Sequence, residues 1–296
     1  MKLKITVRCL FLAALAGAIA CGSDNGTGTP PTPAKIRVVN SVFQYTDATN
    51  TASKVAPRSI DMLVDSATSS PGAIAIAPVS IFAPAGTDSS YYEQLPAGVH
   101  SFTGRLTGST GQTSSFYTNS VNNLPYLARQ YLVSATPYTI VVAGIVPVTA
   151  ATGTAQALTP STAAPFVALL DDPFPPPQVN GAYQTRFRIV NAAPFAAATG
   201  LGATVSAYLT PGTTPPASVA TLSPTATALY RSPSVYINAD AGTYTLTFTV
   251  GAVILSQSTV TFAAGEVRTF VLQSTAYAAT PSVANHVVRA LLDNKY

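Results

Sequence analysis

The chain has 296 residues, of which 47% are hydrophobic and only 9% charged, so it is too apolar for wholesale disorder and long enough for two domains. Its 24 prolines and 19 glycines, with abundant Thr and Ser, fit a turn-rich β protein and disfavour helical bundles and doubly wound folds. The formal net charge of +4 is no nucleic-acid footprint, because Lys2, Lys4 and Arg8 fall in an expected leader and the other basic residues are scattered.

Met1 to Arg8 is a short basic stretch, and Cys9 to Ala20 is an uninterrupted apolar run. A bilayer span takes roughly 20 such residues, so residues 1–20 read as a secretory signal peptide instead. The run closes on Ala18, Ile19 and Ala20 before Cys21, which resembles a bacterial lipobox with Cys21 as the lipid attachment site. That resemblance implies a diacylglycerol on the Cys21 sulfur. With Gly22 rather than Asp next, it also implies transfer to the outer membrane of a two-membrane bacterium. Cys9 and Cys21 are the only cysteines, so cleavage before Cys21 leaves no disulfide pair, and an exported chain has little other use for the thiol. Acyl chains bury about 0.8 kcal/mol per methylene, enough for a stable membrane anchor when two or three are attached. Residues 21–34 then comprise the acylated cysteine and a flexible Gly-, Thr- and Pro-rich tether, able to reach about 45 Å when fully extended.

Beyond the tether, Lys35-Ile-Arg-Val-Val-Asn40 opens a strand, and Ile60, Met62 and Val64 alternate with Asp61, Leu63 and Asp65 in a second. Tyr91 and Tyr92 precede the turn Leu95-Pro-Ala-Gly98, after which Val99 to Phe102 reads as another strand. A long insertion follows that places Phe116, Tyr117 and Tyr126 among amide and hydroxyl residues. Tyr138-Thr-Ile-Val-Val142 and Ala168-Leu-Leu-Asp171 then complete a unit over 35–172. Residues 173–185 are a Pro-rich linker, expected to be stiff and extended.

The unit then starts again. Arg186-Phe-Arg-Ile-Val-Asn191 repeats Lys35–Asn40, Ala239-Asp-Ala-Gly-Thr-Tyr-Thr-Leu246 repeats Leu95–Phe102, Arg268–Leu272 repeats Tyr138–Val142, and Ala290-Leu-Leu-Asp293 repeats Ala168–Asp171. Four matches in one order indicate a tandem repeat, with a second copy over 186–296. The separation shrinks from match to match, so the first copy carries insertions in its connections. Val205, Ala207 and Leu209 mark a further strand. Thr243, Thr245, Thr247 and Thr249 alternate with Tyr244, Leu246, Phe248 and Val250, which predicts a half-buried strand with a hydroxyl face toward solvent. The expected fold is all-β: two tandem immunoglobulin-like antiparallel β-sandwich domains after a signal peptide and flexible tether.

The succession of Arg-Val-Val-Asn, an acid-bearing alternating strand, Leu-Pro-Ala-Gly, Tyr-Thr-Ile-Val-Val-Ala-Gly and Leu-Leu-Asp-Asp resembles the bacterial envelope family known as domain of unknown function 4397. The resemblance covers nearly all of 35–296 as two copies. Asn191-Ala-Ala-Pro194 is close to that family's turn after the first strand, whereas Asn40-Ser-Val-Phe43 departs from it, and the second copy lacks the acids of Asp61 and Asp65. It implies this fold and an envelope location, and it implies neither activity nor catalytic residues.

Signals for chemistry are sparse. His100 maps onto Tyr244 and His286 onto Ala164, so neither sits in a repeated ligand pattern, and two histidines without a free cysteine cannot assemble the usual zinc set. Asp61 and Asp65, on one strand face, would stand about 13 Å apart at roughly 3.3 Å per residue. A glycosidase pair needs roughly 5 to 9.5 Å, which leaves only a carboxylate from another strand, such as Glu93, as an alternative. Asp171 and Asp172 could join a calcium shell, but calcium takes six or more oxygens and a polar turn is the favoured reading. Nucleophile elbows, zinc-helix motifs and phosphate loops do not occur. No catalytic residue, metal or cofactor is therefore expected, and an unrecognised hydrolase is the weakest of three readings. The leading one is a non-catalytic module that binds a protein or surface glycan through Phe116, Tyr117, Tyr126, Tyr91 and Tyr92. The second is a passive envelope spacer. The expected partners are the membrane, through the anchor, and an envelope protein or glycan, with no nucleic acid.

Overall fold

Segments rich in Val, Ile, Phe, Tyr and Thr build the fold, since branched and aromatic side chains pack well on a pleated, largely buried surface. A computed structural model describes residues 32–45, 55–65, 74–79, 92–106, 127–146, 166–171, 175–193, 204–230, 232–275 and 285–295. Among these residues there is no α-helix, and the chain is all-β and sandwich-like.

The first set of strands is β1 (Ala34–Tyr45), β2 (Val55–Pro57), β3 (Ile60–Val64), β4 (Ile74–Val79), β5 (Glu93–Leu95), β6 (Gly98–Leu106), β7 (Leu127–Leu132), β8 (Pro137–Val146) and β9 (Phe166–Asp171). One sheet runs β2-β1-β8-β9, with β5 on the same edge of β1 as β2, and the other runs β4-β3-β6-β7. A small hairpin of β10 (Gln178–Val179) and β11 (Ala182–Tyr183) follows. The second set is β12 (Thr185–Asn191), β13 (Val205–Pro211), β14 (Ala226–Ala228), β15 (Ile237–Ala239), β16 (Gly242–Val250), β17 (Val253–Phe262), β18 (Glu266–Ser274) and β19 (His286–Lys295). Its sheets run β15-β12-β18-β19 and β14-β13-β16-β17. Strand for strand, β12 occupies the place of β1, β13 of β3, β16 of β6, β17 of β7, β18 of β8 and β19 of β9.

The pairing is not purely antiparallel. β1 lies parallel to β8 from Lys35 beside Pro137 to Gln44 beside Val146, and β12 lies parallel to β18 from Arg186 beside Val267 to Asn191 beside Leu272. Parallel strands are buried on both faces, and these four are. Ile36, Ile140 and Val142 point inward against Ile60, Met62, Phe102 and Leu132. On the opposite face of the same sheet, Val39, Val141, Ala143 and Leu170 join the core of the second set. Pro33–Tyr296 accordingly forms one compact unit.

Three local expectations change. Beyond the exposed Thr243, the threonine face of β16 is not solvated: Thr245, Thr247 and Thr249 are all fully buried. The connection after β13 folds over them, with the Gly212 carbonyl accepting from Thr245 Oγ1 at 3.1 Å, the Pro216 carbonyl accepting from Gln257 Nε2 at 3.2 Å, and Val219 buried. The linker is not extended throughout, because Asn180 and Gly181 at φ of 52° and 79° turn β10 back onto β11. Lastly, the Ala-Leu-Leu-Asp match is displaced by one residue. Leu170 stands beside Thr139 and Leu291 beside Thr269, so these two leucines are the true counterparts, and both are buried. A β-bulge leaves Asp293 outside the ladder, between Leu292 opposite Arg268 and Asn294 opposite Val267.

In the second core, Phe187, Phe262 and Phe270 touch one another with ring centroids 5.7, 5.9 and 6.0 Å apart. Truncating Phe270 to Ala should lower stability by about 3–5 kcal/mol in a denaturant titration, since it empties the centre of this cluster.

Candidate functional site

Of the residues singled out in the sequence, Cys21, Phe116, Tyr117, Tyr126 and Tyr91 lie outside the described residues. Tyr92 is described, and it is not a free binding aromatic. Its half-buried ring lies under the Arg37 guanidinium, 4.8 Å from the ring centre. Tyr236 does the same for Arg188 at 4.6 Å and for Arg186 at 4.4 Å. The two tyrosines hold equivalent places, each six residues before the glycine of an Ala-Gly turn, Gly98 and Gly242. Extending the second sequence match backwards to Tyr92 and Tyr236 would have exposed this pairing.

Arg37 and Arg188 organise the seam where the outer faces of β1 and β12 meet. Arg37 Nε donates to Thr139 Oγ1 on the parallel neighbour at 2.8 Å. Its Nη1 donates to the Leu292 carbonyl at 2.9 Å, and its Nη2 to Oδ1 of the Asp293 carboxylate, both on the last strand of the other copy. Arg188 mirrors this: Nε to Thr269 Oγ1 at 2.9 Å, and Nη1 to the Asp171 carbonyl at 3.0 Å, on the last strand of the first copy. Thr269 Oγ1 in turn donates a hydrogen bond to Asp293 Oδ2 at 2.6 Å. Nearer the crossing point, Ser41 Oγ donates to the Ala192 carbonyl at 2.9 Å, and Gln273 Nε2 to the Asn40 carbonyl at 2.8 Å. Ser41 and Ala192 are counterparts in the repeat, so the two copies face each other about an approximate two-fold axis.

Electrostatically, the seam concentrates arginine around one buried acid. Burial pushes the Asp293 carboxyl above the usual carboxylate range, and the charges of Arg37 and Arg188 with the hydrogen bonds of Thr269 and Arg37 pull it back only in part. Burial and the neighbouring charge of Arg37 hold Arg289 below the ordinary guanidinium range. Both Asp293 oxygens are engaged, so this carboxylate is built to hold strands together rather than to move a proton.

Among the other candidate acids and bases, His100 and Asp65 are also committed to structure. His100 Nδ1 meets Asp65 Oδ2 at 2.7 Å and its Nε2 meets the Pro96 carbonyl at 2.8 Å, which leaves no ring nitrogen for a ligand. Tyr244, its counterpart, closes the same corner by donating from its hydroxyl to the Asp240 carbonyl at 3.0 Å. Asp65 is not in line with the strand face expected of it. It lies beyond β3 with a left-handed φ of 56°, which turns its carboxylate toward His100 and the Ser101 amide. The side chain of Asp61 and all of Asp172 lie outside the described residues. Glu93 is half-buried on β5, His286 is half-buried at the start of β19, and the Asp171 side chain is exposed. Among the described residues no group of three or more His, Cys, Asp or Glu is placed to hold a metal ion.

One surface feature carried no sequence signal. Beside β14, Thr225, Thr227, Leu229, Ser234, Val235 and Ile237 line an open groove of about 560 Å³, with Leu229 and Val235 largely exposed. Its walls come from irregular chain around Pro233, where neither period two nor a turn motif marks the apolar residues.

Comparison with known protein families and with curated proteins found no match.

Removing one partner of a buried pair strands the other charge, whereas replacing both with apolar residues does not. Asp293→Ala should therefore cost about 3–5 kcal/mol in a denaturant titration, and the double variant Arg37→Met with Asp293→Leu should recover most of that loss. At the corner, His100→Ala should cost about 1–2 kcal/mol by orphaning the Pro96 carbonyl contact. His100→Tyr, which imports the solution of the second copy, should be the milder change in the same denaturant titration.

Proposed function

We propose that the chain is a non-catalytic, lipid-anchored protein of the bacterial cell envelope. It is tethered through Cys21 and residues 21–34, and it works as a binding or scaffolding module for a protein or surface glycan near the outer membrane. On this reading residues 35–172 and 186–296 are two immunoglobulin-like sandwiches, the fold implied by their resemblance to domain of unknown function 4397. The observation that carries the proposal is the seam. Reciprocal arginines and a shared apolar face weld the two copies, so the strands of both are held in one fixed frame. The committed state of His100 and Asp293 supports a role without acid–base chemistry. The same rigidity favours one competing reading, a passive spacer, because a body that cannot fold on itself also supplies length.

Crosslinking in intact cells of the native host, followed by capture through a C-terminal tag and mass spectrometry, separates the two. A reproducible envelope protein is the expected result. Recovery of background lipoproteins alone, with no retention on surface glycans, would count for the spacer, as would an unchanged phenotype after the second copy is exchanged for an unrelated sandwich. If the insertion is the contact, replacing Phe116, Tyr117 and Tyr126 by Ala should lower partner recovery while leaving the melting temperature unchanged.

A further inference from the structure

The outer surface of the β6–β7 hairpin departs from its counterpart in the second copy in one respect. Val99 and Tyr131 are direct cross-strand partners there, and they are 54% and 68% exposed, with Val133 beyond them at 50%. In the second copy the corresponding partners are Thr243 and Thr261, whose exposed hydroxyls hydrogen-bond to each other at 3.1 Å. The register is the same in both, Gly98 beside Leu132 and Gly242 beside Phe262. The hairpin thus folds with threonine at these positions, and the apolar, aromatic pair of the first copy is not a requirement of the strands.

Its place in the fold is informative. Ala34, where the chain enters β1, is the partner of Leu95, just before the turn that opens the hairpin, and the Lys35 amide donates to the Thr136 carbonyl, just after Val133. The surface therefore sits at the end of the body where the chain enters β1, 13 residues after Cys21. A Gly-, Thr- and Pro-rich stretch of that length has a root-mean-square reach of about 20 Å, so whatever holds Cys21 also keeps this end close and at high effective concentration. Lys35 and Arg129 are exposed cations at the same end, while the Asp65 carboxylate beside the hairpin is occupied by His100 and the Ser101 amide. Tyrosine with aliphatic neighbours and flanking cations is the combination that settles at a lipid headgroup boundary, and anionic lipids reinforce it.

We propose that the Val99–Tyr131–Val133 surface rests on the lipid bilayer that carries the anchor, so that the first copy lies against the membrane while the second copy projects its threonine counterpart into water. This rests on the lipoprotein reading above. The test uses the full chain purified from host membranes. Tyr131→Cys, and separately Thr261→Cys, are labelled with an environment-sensitive thiol fluorophore after reconstitution into vesicles of phosphatidylethanolamine and phosphatidylglycerol. The label at position 131 should emit at shorter wavelength than in detergent and be quenched by nitroxide-bearing lipid, and the label at 261 should do neither. Equal, water-like behaviour at both positions would overturn the proposal. So would a shift at 131 that follows protein-to-lipid ratio instead of nitroxide content, since a second copy of the chain would then be the cover. Mass analysis of the N-terminal peptide reads the anchor separately: a labelled, unacylated Cys21 defeats the lipoprotein reading, whereas an acylated Cys21 with water-like behaviour at 131 defeats only the surface proposed here.

Discussion

A guanidinium taken out of water must be met by acceptors on every side, and the requirement to satisfy Arg37 and Arg188 explains why the two halves of this chain sit as they do. Each arginine is first fixed by a threonine on the parallel neighbour, Thr139 or Thr269, and only then reaches across to the last strand of the other copy. The parallel pairing of β1 with β8 and of β12 with β18 is what sets those threonines beside the arginines. A buried ion pair adds little net stability over an apolar replacement, but a misregistered seam would strand charge, so the pair penalises every other alignment of the two sheets. The stacked rings of Tyr92 and Tyr236 cover the same guanidiniums from the side and add a smaller attraction of about 0.5–2 kcal/mol each.

The charged contact of this seam comes from a single bulged residue. At the bulge in β19, Asp293 leaves the ladder and turns its carboxylate toward Arg37 and Thr269, whereas Arg188 finds a backbone carbonyl at Asp171. Among the described residues, Arg37 therefore meets a carbonyl and a full charge, and Arg188 meets the equivalent carbonyl. The corner formed by His100 and by Tyr244 shows a similar divergence, with an imidazole and a phenol closing the same turn onto the carbonyl four residues earlier. In both places the backbone path is retained and the chemistry that satisfies it has drifted.

Much of the framework was legible in the residues. Alternation in Ile60–Val64 and Thr243–Val250 marks strands, and the recurrence of Lys35–Asn40 as Arg186–Asn191 falls on strands with the same neighbours. Alternation reports a difference between two faces, however, and not which neighbours cover them. It could not foresee that a Pro-rich connection would bury Thr245, Thr247 and Thr249. Ala-Leu-Leu-Asp matched letter for letter while the structure aligns it one residue away, because a bulge is invisible to identity. Asn180-Gly181, a strong hairpin signal, was masked by the prolines before it. For Tyr92, composition shows an aromatic near a turn and says nothing of an arginine arriving from a strand far away in sequence.

A face that recognises its own counterpart about a two-fold axis is the usual basis of a homodimer, and here both halves of that contact are encoded in one polypeptide. Joining them covalently removes the dependence on subunit concentration that any free dimer would have. It also closes the assembly: the self-complementary surface is fully occupied within each molecule, so no second chain can be recruited through it and the contact cannot propagate into rings or filaments. Dilution or scarcity of the protein leaves this union untouched, and residues away from the seam stay free to diverge without risk to it.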